Sequence, residues 1–330
     1  MILTLTANPS VDRTVFLDQL VLGSVNRSTR SWSEPSGKGV NVALALLAHG
    51  HPVRAAVPIG GSVGAQLRQM LNRAELDIIP VPVAGEIRSN VSLTQPDGTV
   101  TKINELGPKL SAAEADALAH AVQSHLDGVS WLVCGGSLPA GVPAAFYAAL
   151  TEKVHQAGVK VVVDSSGEPL AASLAARPDL IKPNSHELAE LARRDLHTLG
   201  DVVDAAVDLR ERGVGAVLAS LGADGAVLVD DAGALHGEAP VDKVVSTVGA
   251  GDAMLAGFLA ATNCGRVQQL RTALHWGAAA VQHEGTLFSP TDTASTVIVH
   301  DGVDRDRPIS TAEPSPARHT HTDMSTPAHL

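Results

Sequence analysis

The sequence predicts an α/β protein: a parallel sheet covered by helices on both faces, with a smaller β-sheet beside it. Three observations point there. Runs such as "WLVCGGS" and "VKVVVDSS" are apolar at consecutive positions, as strands buried on both faces are. Stretches with helical apolar spacing, such as "AAFYAALTEKVHQAG", lie between them. By contrast, "RSNVSLTQPDGTVTKIN" alternates apolar and polar residues about the turn signal Asp97-Gly98, the pattern of a half-exposed hairpin.

Taken in order, "ILTLT" is the first core strand, "GKGVNVALALLAHG" a helix and "VRAAVPIG" the next strand. After the hairpin the alternation resumes with "WLVCGGS", a helix, "VKVVVDSS", a short helix, "LIKPN", another helix and "AVLASLG". Residues 10 to 32 are polar and irregular. With residues 86 to 105 they are expected to form a lid at the end of the sheet where α/β proteins hold ligands. From about Asp301 the chain is rich in Pro, Ser, Thr and His, too little apolar surface to offset ordering entropy. The expected organisation is one domain over residues 1–300 and a disordered, solvated tail over 301–330, where His319 and His321 are not read as a metal site.

Composition narrows the function. The 330 residues are 45% hydrophobic and 18% charged, with 35 acids against 24 bases and a net charge of −11. No basic stripe offsets that excess, which argues against a nucleic-acid partner. No apolar run is long enough to span a bilayer, so no membrane partner is expected. Two cysteines without a CxxC spacing give neither a disulfide framework nor a zinc site, and a cytoplasmic location is expected.

Chemistry concentrates where strands end. "SGKGVN", residues 36 to 41, invites comparison with a phosphate-binding P-loop, but Gly39 stands where Ser or Thr must follow the lysine. What remains is a glycine turn opening a helix, from which Lys38 and Asn41 can face a polar ligand. In "LIKPNSHEL", Lys182 ends an apolar strand and its amine needs a partner if buried; Asn184 and Glu187 stand three apart around a helix start. "VCGGSLPAG" and "LASLGADGA" repeat the theme of strand, glycine and small polar residue.

"STVGAGDAML" is the most informative stretch. Gly249, Ala250 and Gly251 expose backbone N–H groups at a helix start, a pocket for developing negative charge. Asp252 stands beside it, either as a cap for its own helix or as an acceptor for the proton of an attacking hydroxyl.

The set "SGKGVNVA", "CGGSLPAG", "KPNSHEL", "SLGADGA" and "STVGAGDAM", in this order over residues 1 to 296, resembles the PfkB carbohydrate kinases of the ribokinase-like fold. The resemblance implies a three-layer α/β/α core with a β-lid that pairs two subunits into a homodimer, and transfer of the ATP γ-phosphoryl group to a sugar hydroxyl. It implies Asp252 as catalytic base and Gly249, Ala250 and Gly251 as anion hole. It implies Lys182, Asn184, Glu187, Ser220 and Gly222 on the nucleotide side, with Glu187 helping to organise Mg²⁺ through water.

The opening "TANPSVDRT" is similar to the subgroup that phosphorylates sugar phosphates. By that likeness Asp12, Gly37, Lys38 and Asn41 hold the sugar, Arg88 its phosphate, and Ser137 lies beside them. "VNR" at 25 to 27, the "GKG" turn and "TVTKINELGP" look most like members acting on fructose 1-phosphate; members acting on tagatose 6-phosphate share part of the set, and "DSSGEPL" and "GTLFSPTDT" are closer to those acting on fructose 6-phosphate. The family usually has Ala or Gly where Ser36 stands, while Asn41, Gly50 and Gly60 keep its spacing. A sensor that binds a sugar phosphate without catalysis has no need of an acid at the anion hole. A nicotinamide oxidoreductase is disfavoured because no G-x-G-x-x-G follows the first strand. With eight aromatic residues in the chain, an aliphatic pocket for adenine is expected.

Overall fold

The apolar runs form the strands they predict, and their order fixes the shape of the molecule. The computed structural model describes residues 1–283, 285 and 296–310. In chain order the first half comprises β1 (Ile2–Thr6), β2 (Ser10–Phe16), β3 (Arg30–Ser36), α1 (Lys38–Ala48), β4 (Val53–Ile59), α2 (Gly61–Arg73), β5 (Asp77–Pro82), β6 (Arg88–Thr94), β7 (Val100–Asn104), α3 (Ala112–Gln123), β8 (Trp131–Gly135) and α4 (Phe146–Gln156). The second half comprises β9 (Lys160–Asp164), α5 (Gly167–Ser173), β10 (Leu180–Ile181), α6 (Ser185–Ala192), α7 (Leu199–Glu211), β11 (Ala216–Ser220), β12 (Ala226–Asp230), β13 (Gly233–Glu238), α8 (Ala250–Ala260), α9 (Arg266–Ala280) and β14 (Ile298–Val299).

Ten strands form the main sheet in the order β14-β13-β12-β11-β10-β9-β8-β1-β4-β5. From β11 to β5 all neighbours are parallel. The chain moves outward from β1 through β4 to β5, then returns to the other side of β1 at β8. Right-handed crossovers therefore place their helices on opposite faces in the two halves. Helix α1 packs on α8, and α8 on α9, while α3, α4, α5, α6 and α7 pack in succession elsewhere. The reversal between β1 and β8 opens a crevice at their carboxyl ends, the place where such sheets hold ligands.

One edge departs from the all-parallel expectation. β12, β13 and β14 run antiparallel. Only Asp231 and Ala232 separate the paired residues Asp230 and Gly233, and so short a connection can join strands in no other way.

The second sheet has the order β3-β2-β6-β7. Its β6–β7 pair is the hairpin expected around Asp97-Gly98. Residues 10 to 32, polar and irregular in sequence but expected to join the hairpin in the small sheet, supply β2 and β3, with β2 held between antiparallel β3 and parallel β6. Their polar side chains are tolerated because the sheet is only half-buried. Only Ala7, Asn8 and Pro9 separate β1 from β2, so the small sheet is tethered at the carboxyl end of the main one.

The tail also differs from expectation. Residues 301–310 are held by backbone bonds to the start of α7 and by the buried side chain of Ile309. Those bonds, rather than apolar periodicity, order the segment. Residues 311–330, and all of "GTLFSPTDT" except Gly285, lie outside the described residues.

Close backbone approaches lock the crevice. A Cβ added at Gly135 would lie 2.5 Å from the Gly39 nitrogen, and one at Gly39 would lie 2.8 Å from the Leu5 oxygen. The start of α1 thus sits directly on the ends of β1 and β8. Replacing Gly135 with Ala is expected to cost about 1–3 kcal/mol, the usual penalty of overpacking, read from the urea midpoint; an unchanged midpoint would mean that α1 has room to move.

Candidate active site

Four segments converge above the crevice. Strand β9 ends in Asp164, which is fully buried because its strand is covered on both faces. Lys38, the first residue of α1, donates to Asp164 Oδ1 at 2.6 Å. Lys182, one residue past β10, is buried and lies 3.2 Å from Asp164 Oδ2. From the other side the first turn of α8 brings Asp252, also buried, whose Oδ2 accepts a hydrogen bond from Asn41 Nδ2 at 2.7 Å.

Burial opposes the charge on Lys38, but Asp164, Glu187 and Asp252 outweigh it and hold the ammonium above the usual lysine range. Asp164 is pushed up by burial and pulled further down by Lys182 and Lys38, so it remains ionised. Asp252 receives less compensation. Burial and then the negative charge of Asp164 raise it to about 6, against the opposing pull of the two lysines and Asn41. One carboxylate is committed to the lysines; its neighbour is left easily protonated.

Asp252 is not the cap of its helix. Gly249, with φ at +79°, occupies that position and makes no side-chain cap bond to the first turn of α8. A Cβ at Gly251 would stand 3.1 Å from Lys182 Nζ. The positive end of a helix and an ammonium group thus meet beside Gly249, Ala250 and Gly251, a place suited to an anion.

Asn184 and Glu187 form a capping box on α6: Asn184 Oδ1 accepts from the Glu187 N–H at 2.7 Å, and Glu187 Oε2 from the Asn184 N–H at 2.9 Å. The cap leaves Glu187 Oε1 at 4.0 Å from Lys38 Nζ. Ser220 pairs with Asn184 through an isolated bridge, and Gly222, at φ +60°, faces open space.

The sugar-side candidates lie together at the tether. Ser10 aligns with Arg88 and Asp12 with Asn90 across β2 and β6. Asp12 Oδ1 accepts from Ser10 Oγ at 2.6 Å and Asn90 Nδ2 at 2.8 Å. Asn8 Nδ2 donates to Ser137 Oγ at 3.3 Å. Arg88 is half-buried rather than a solvated charge. Its Nη1 donates to the Glu105 carbonyl at 3.1 Å, while its buried Nε has no partner. Burial lowers its pKa, against the pull of Asp12 and Glu105. Gly37, at φ +126°, would place a Cβ 2.6 Å from Thr6 Cγ2 and 3.3 Å from Pro9 Cα, which joins the α1 turn to the Asn8 loop.

The structure thus brings Lys38, Asn41, Lys182, Asn184, Glu187 and Asp252 together and groups Asp12, Gly37, Arg88 and Ser137 at the tether, and three more residues join them. Asp164 ends an apolar strand, a signal the sequence carried in "VVVDSS" but gave no role. Asn90 shares a strand face with Arg88 by the period of two. Asn8, in "TANPS", bridges the loop to Ser137. A cavity of about 810 Å³ opens among α5, α6 and α7, with Glu187 in its lining.

A crevice with a glycine-capped helix start, an acid beside it and a cationic residue on a second sheet suits the movement of a charged group to a hydroxyl. The pfkB family of carbohydrate kinases matches residues 5–294, and the chain belongs to that family. Among its relatives are the 1-phosphofructokinase of Rhodobacter capsulatus, 38% identical over 84% of this chain and 90% of the relative, and that of Haloferax volcanii, 40% identical over 80% and 85%. The structure of phosphofructokinase-2 from Escherichia coli in complex with substrates and products aligns with a TM-score of 0.84 at 33% identity, over 88% of this chain and 96% of that one.

If Asp164 neutralises the lysines, removing it leaves two ammonium groups in a poorly solvated site. Asp164→Ala is expected to cost about 3 kcal/mol of folding stability in a urea titration. A cost below about 1 kcal/mol would show that water already solvates both lysines.

Proposed function

We propose that the protein is a 1-phosphofructokinase, which transfers the γ-phosphoryl group of ATP to fructose 1-phosphate and yields fructose 1,6-bisphosphate and ADP. The observation that carries the reading is the buried Asp252, bonded by Asn41 in the first turn of α8, at a helix start whose N-cap residue is Gly249. The choice of sugar follows the names of the curated relatives.

In this reading the acceptor hydroxyl lies between Asp252 and the α8 terminus. Its oxygen bonds to the γ-phosphorus as the bond to the bridging β–γ oxygen breaks, and its proton passes to the Asp252 carboxylate. The Gly249, Ala250 and Gly251 amides and Lys182 face the charge that gathers on the transferred group; positioning and electrostatics dominate such transfers. Lys38, Asn41, Gly37, Asp12 and Ser137 hold the sugar. The unpaired Nε of Arg88 turns to its phosphate, for which a planar guanidinium provides parallel donors.

ATP fits the side formed by Asn184, Glu187, Ser220 and Gly222, where Gly222 leaves open space. Mg²⁺ fits the donor set as well. Such an ion keeps most of its waters and takes one or two carboxylates plus phosphate oxygens. Glu187, whose Oε1 is left outside its capping bonds, is the candidate, and the bound ion would neutralise phosphate charge. Closure of the small sheet over the sugar would exclude water and suppress ATP hydrolysis. Among the described residues no helix is long and apolar enough to cross a membrane.

The small sheet also suits pairing of two copies. Its strand β7 is exposed throughout and presents Val100 and Ile103, with Leu106 just beyond. Ile103→Glu is expected to shift the protein toward monomers in sedimentation; an unchanged mass would place any interface elsewhere.

The activity itself is tested by initial rates with ATP and Mg²⁺ against fructose 1-phosphate, fructose 6-phosphate and tagatose 6-phosphate. A kcat/KM lead of tenfold or more for fructose 1-phosphate is expected, whereas a lead for another sugar would reassign the substrate. Asp252→Asn should lower kcat by roughly 10² to 10⁴ with little change in either KM. Because Asp252 must be ionised to accept a proton, kcat/KM should be level above about pH 6 and fall about tenfold per unit below it. Full turnover by Asp252→Asn would reduce the acid to a structural role.

A further inference from the structure

Residues 304–310 lie beyond the span that the family matches, yet they are built into the molecule. The Leu199 and Gly200 N–H groups, at the start of α7, donate to the carbonyls of Arg307 and Arg305, each at 2.9 Å. The Ile309 N–H donates to the His197 carbonyl at 2.9 Å, and Pro308 bridges Thr198. A Cβ at Gly200 would lie 2.7 Å from the Arg305 oxygen, so the two backbones are in close contact.

From this base the segment reaches the turn that carries Gly222. The Ser310 N–H donates to Asp224 Oδ2 at 2.6 Å. Arg307 donates two parallel bonds to Glu238, Nη1 to Oε1 at 3.0 Å and Nη2 to Oε2 at 2.8 Å, and its Nη2 lies 3.6 Å from Asp224 Oδ1. Paired bonds of this kind are the strong and directional form of the ion pair. Asp224 ends the single helical turn Gly222–Asp224, and its carbonyl accepts from His236 Nε2 at 2.9 Å. The turn is closed by the Leu221 N–H on the Gly225 carbonyl at 2.8 Å. Anything that fixes Asp224 therefore fixes the backbone of Gly222 two residues away.

We infer that residues 304–310 are a strap that positions the Gly222 turn through Asp224 and Glu238, and so tunes affinity for the nucleotide but not for the sugar phosphate. The inference rests on the assignment of Ser220 and Gly222 to the nucleotide given above. Arg307 is a positioning residue, since its bonds reach Glu238 and Asp224 and none reaches Asp12, Arg88 or Ser137.

The test titrates ATP calorimetrically into the full chain as wild type, Arg307→Ala, Arg307→Lys and Gly222→Val, and measures KM for the sugar phosphate at saturating ATP. Arg307→Ala is expected to weaken ATP binding about tenfold with the sugar KM within twofold. Arg307→Lys, which keeps the charge without the paired geometry, should fall between. Gly222→Val probes the assignment itself, because a β-branched residue at φ +60° must distort the turn. If Gly222→Val weakens ATP binding while Arg307→Ala lowers only the melting temperature, the strap is purely structural and the inference fails. If neither variant changes ATP binding, the nucleotide assignment fails and takes the inference with it. A loss shared equally by ATP and sugar would also overturn it. Should Arg307→Ala not fold, Arg307→Lys decides, with a twofold or greater loss of ATP affinity alone as the expected result and no loss as the contrary one.

Discussion

Two buried carboxylates share one pair of lysines, and the uneven sharing sets the chemistry of the crevice. Asp164 has Lys38 at 2.6 Å and Lys182 at 3.2 Å. Asp252 has the neutral amide of Asn41 at 2.7 Å. Like charges in a poorly solvated place disfavour ionising both groups, so the acid with the nearer cations keeps its charge and the other is pushed up. A carboxylate near 6 is ionised at neutral pH yet still able to hold a proton briefly, the compromise that general base catalysis favours.

That arrangement requires four distant segments to meet, and the sheet topology makes them do so. Asp164 ends β9, Lys182 follows β10, Lys38 begins α1 and Asp252 begins α8. Parallel strands bring the first two to one edge. The reversal at β1 gives α1 its place over the crevice, and the packing of α8 on α1 brings Asp252 across to Asn41. Glycines at 39 and 135 let the backbones approach closely enough for side chains of ordinary length to meet. The small sheet, tethered three residues after β1, adds Asp12, Asn90 and Arg88 at the same end.

Much of this could be read from the sequence, because strand ends and helix starts have local signatures. Apolar runs located the parallel core, and glycine turns before apolar helices located Lys38 and Asp252. The strand end in "VVVDSS" marked the place of Asp164 but not its role, because that role comes from lysines 126 residues before it in the chain and 18 after it. The small sheet was expected from residues 10 to 32 and the hairpin, but the bounds of β2 were not placed, because a half-exposed strand of Ser, Asp, Arg and Thr has weak alternation and draws its order from β3 and β6 on either side. The ordered stretch 301–310 was missed for a similar reason. Ile309 is its one buried apolar anchor, and backbone bonds to α7 and Asp224 leave no trace in composition.

The most direct test of the uneven sharing is the titration of the two carboxyl groups in the ligand-free protein, followed by carbon NMR of labelled aspartate with Asp164→Asn and Asp252→Asn used to assign the signals. The account expects Asp252 to titrate near 6 and Asp164 below the usual carboxylate range. Titration of both groups near 4, or in the reverse order, would contradict it.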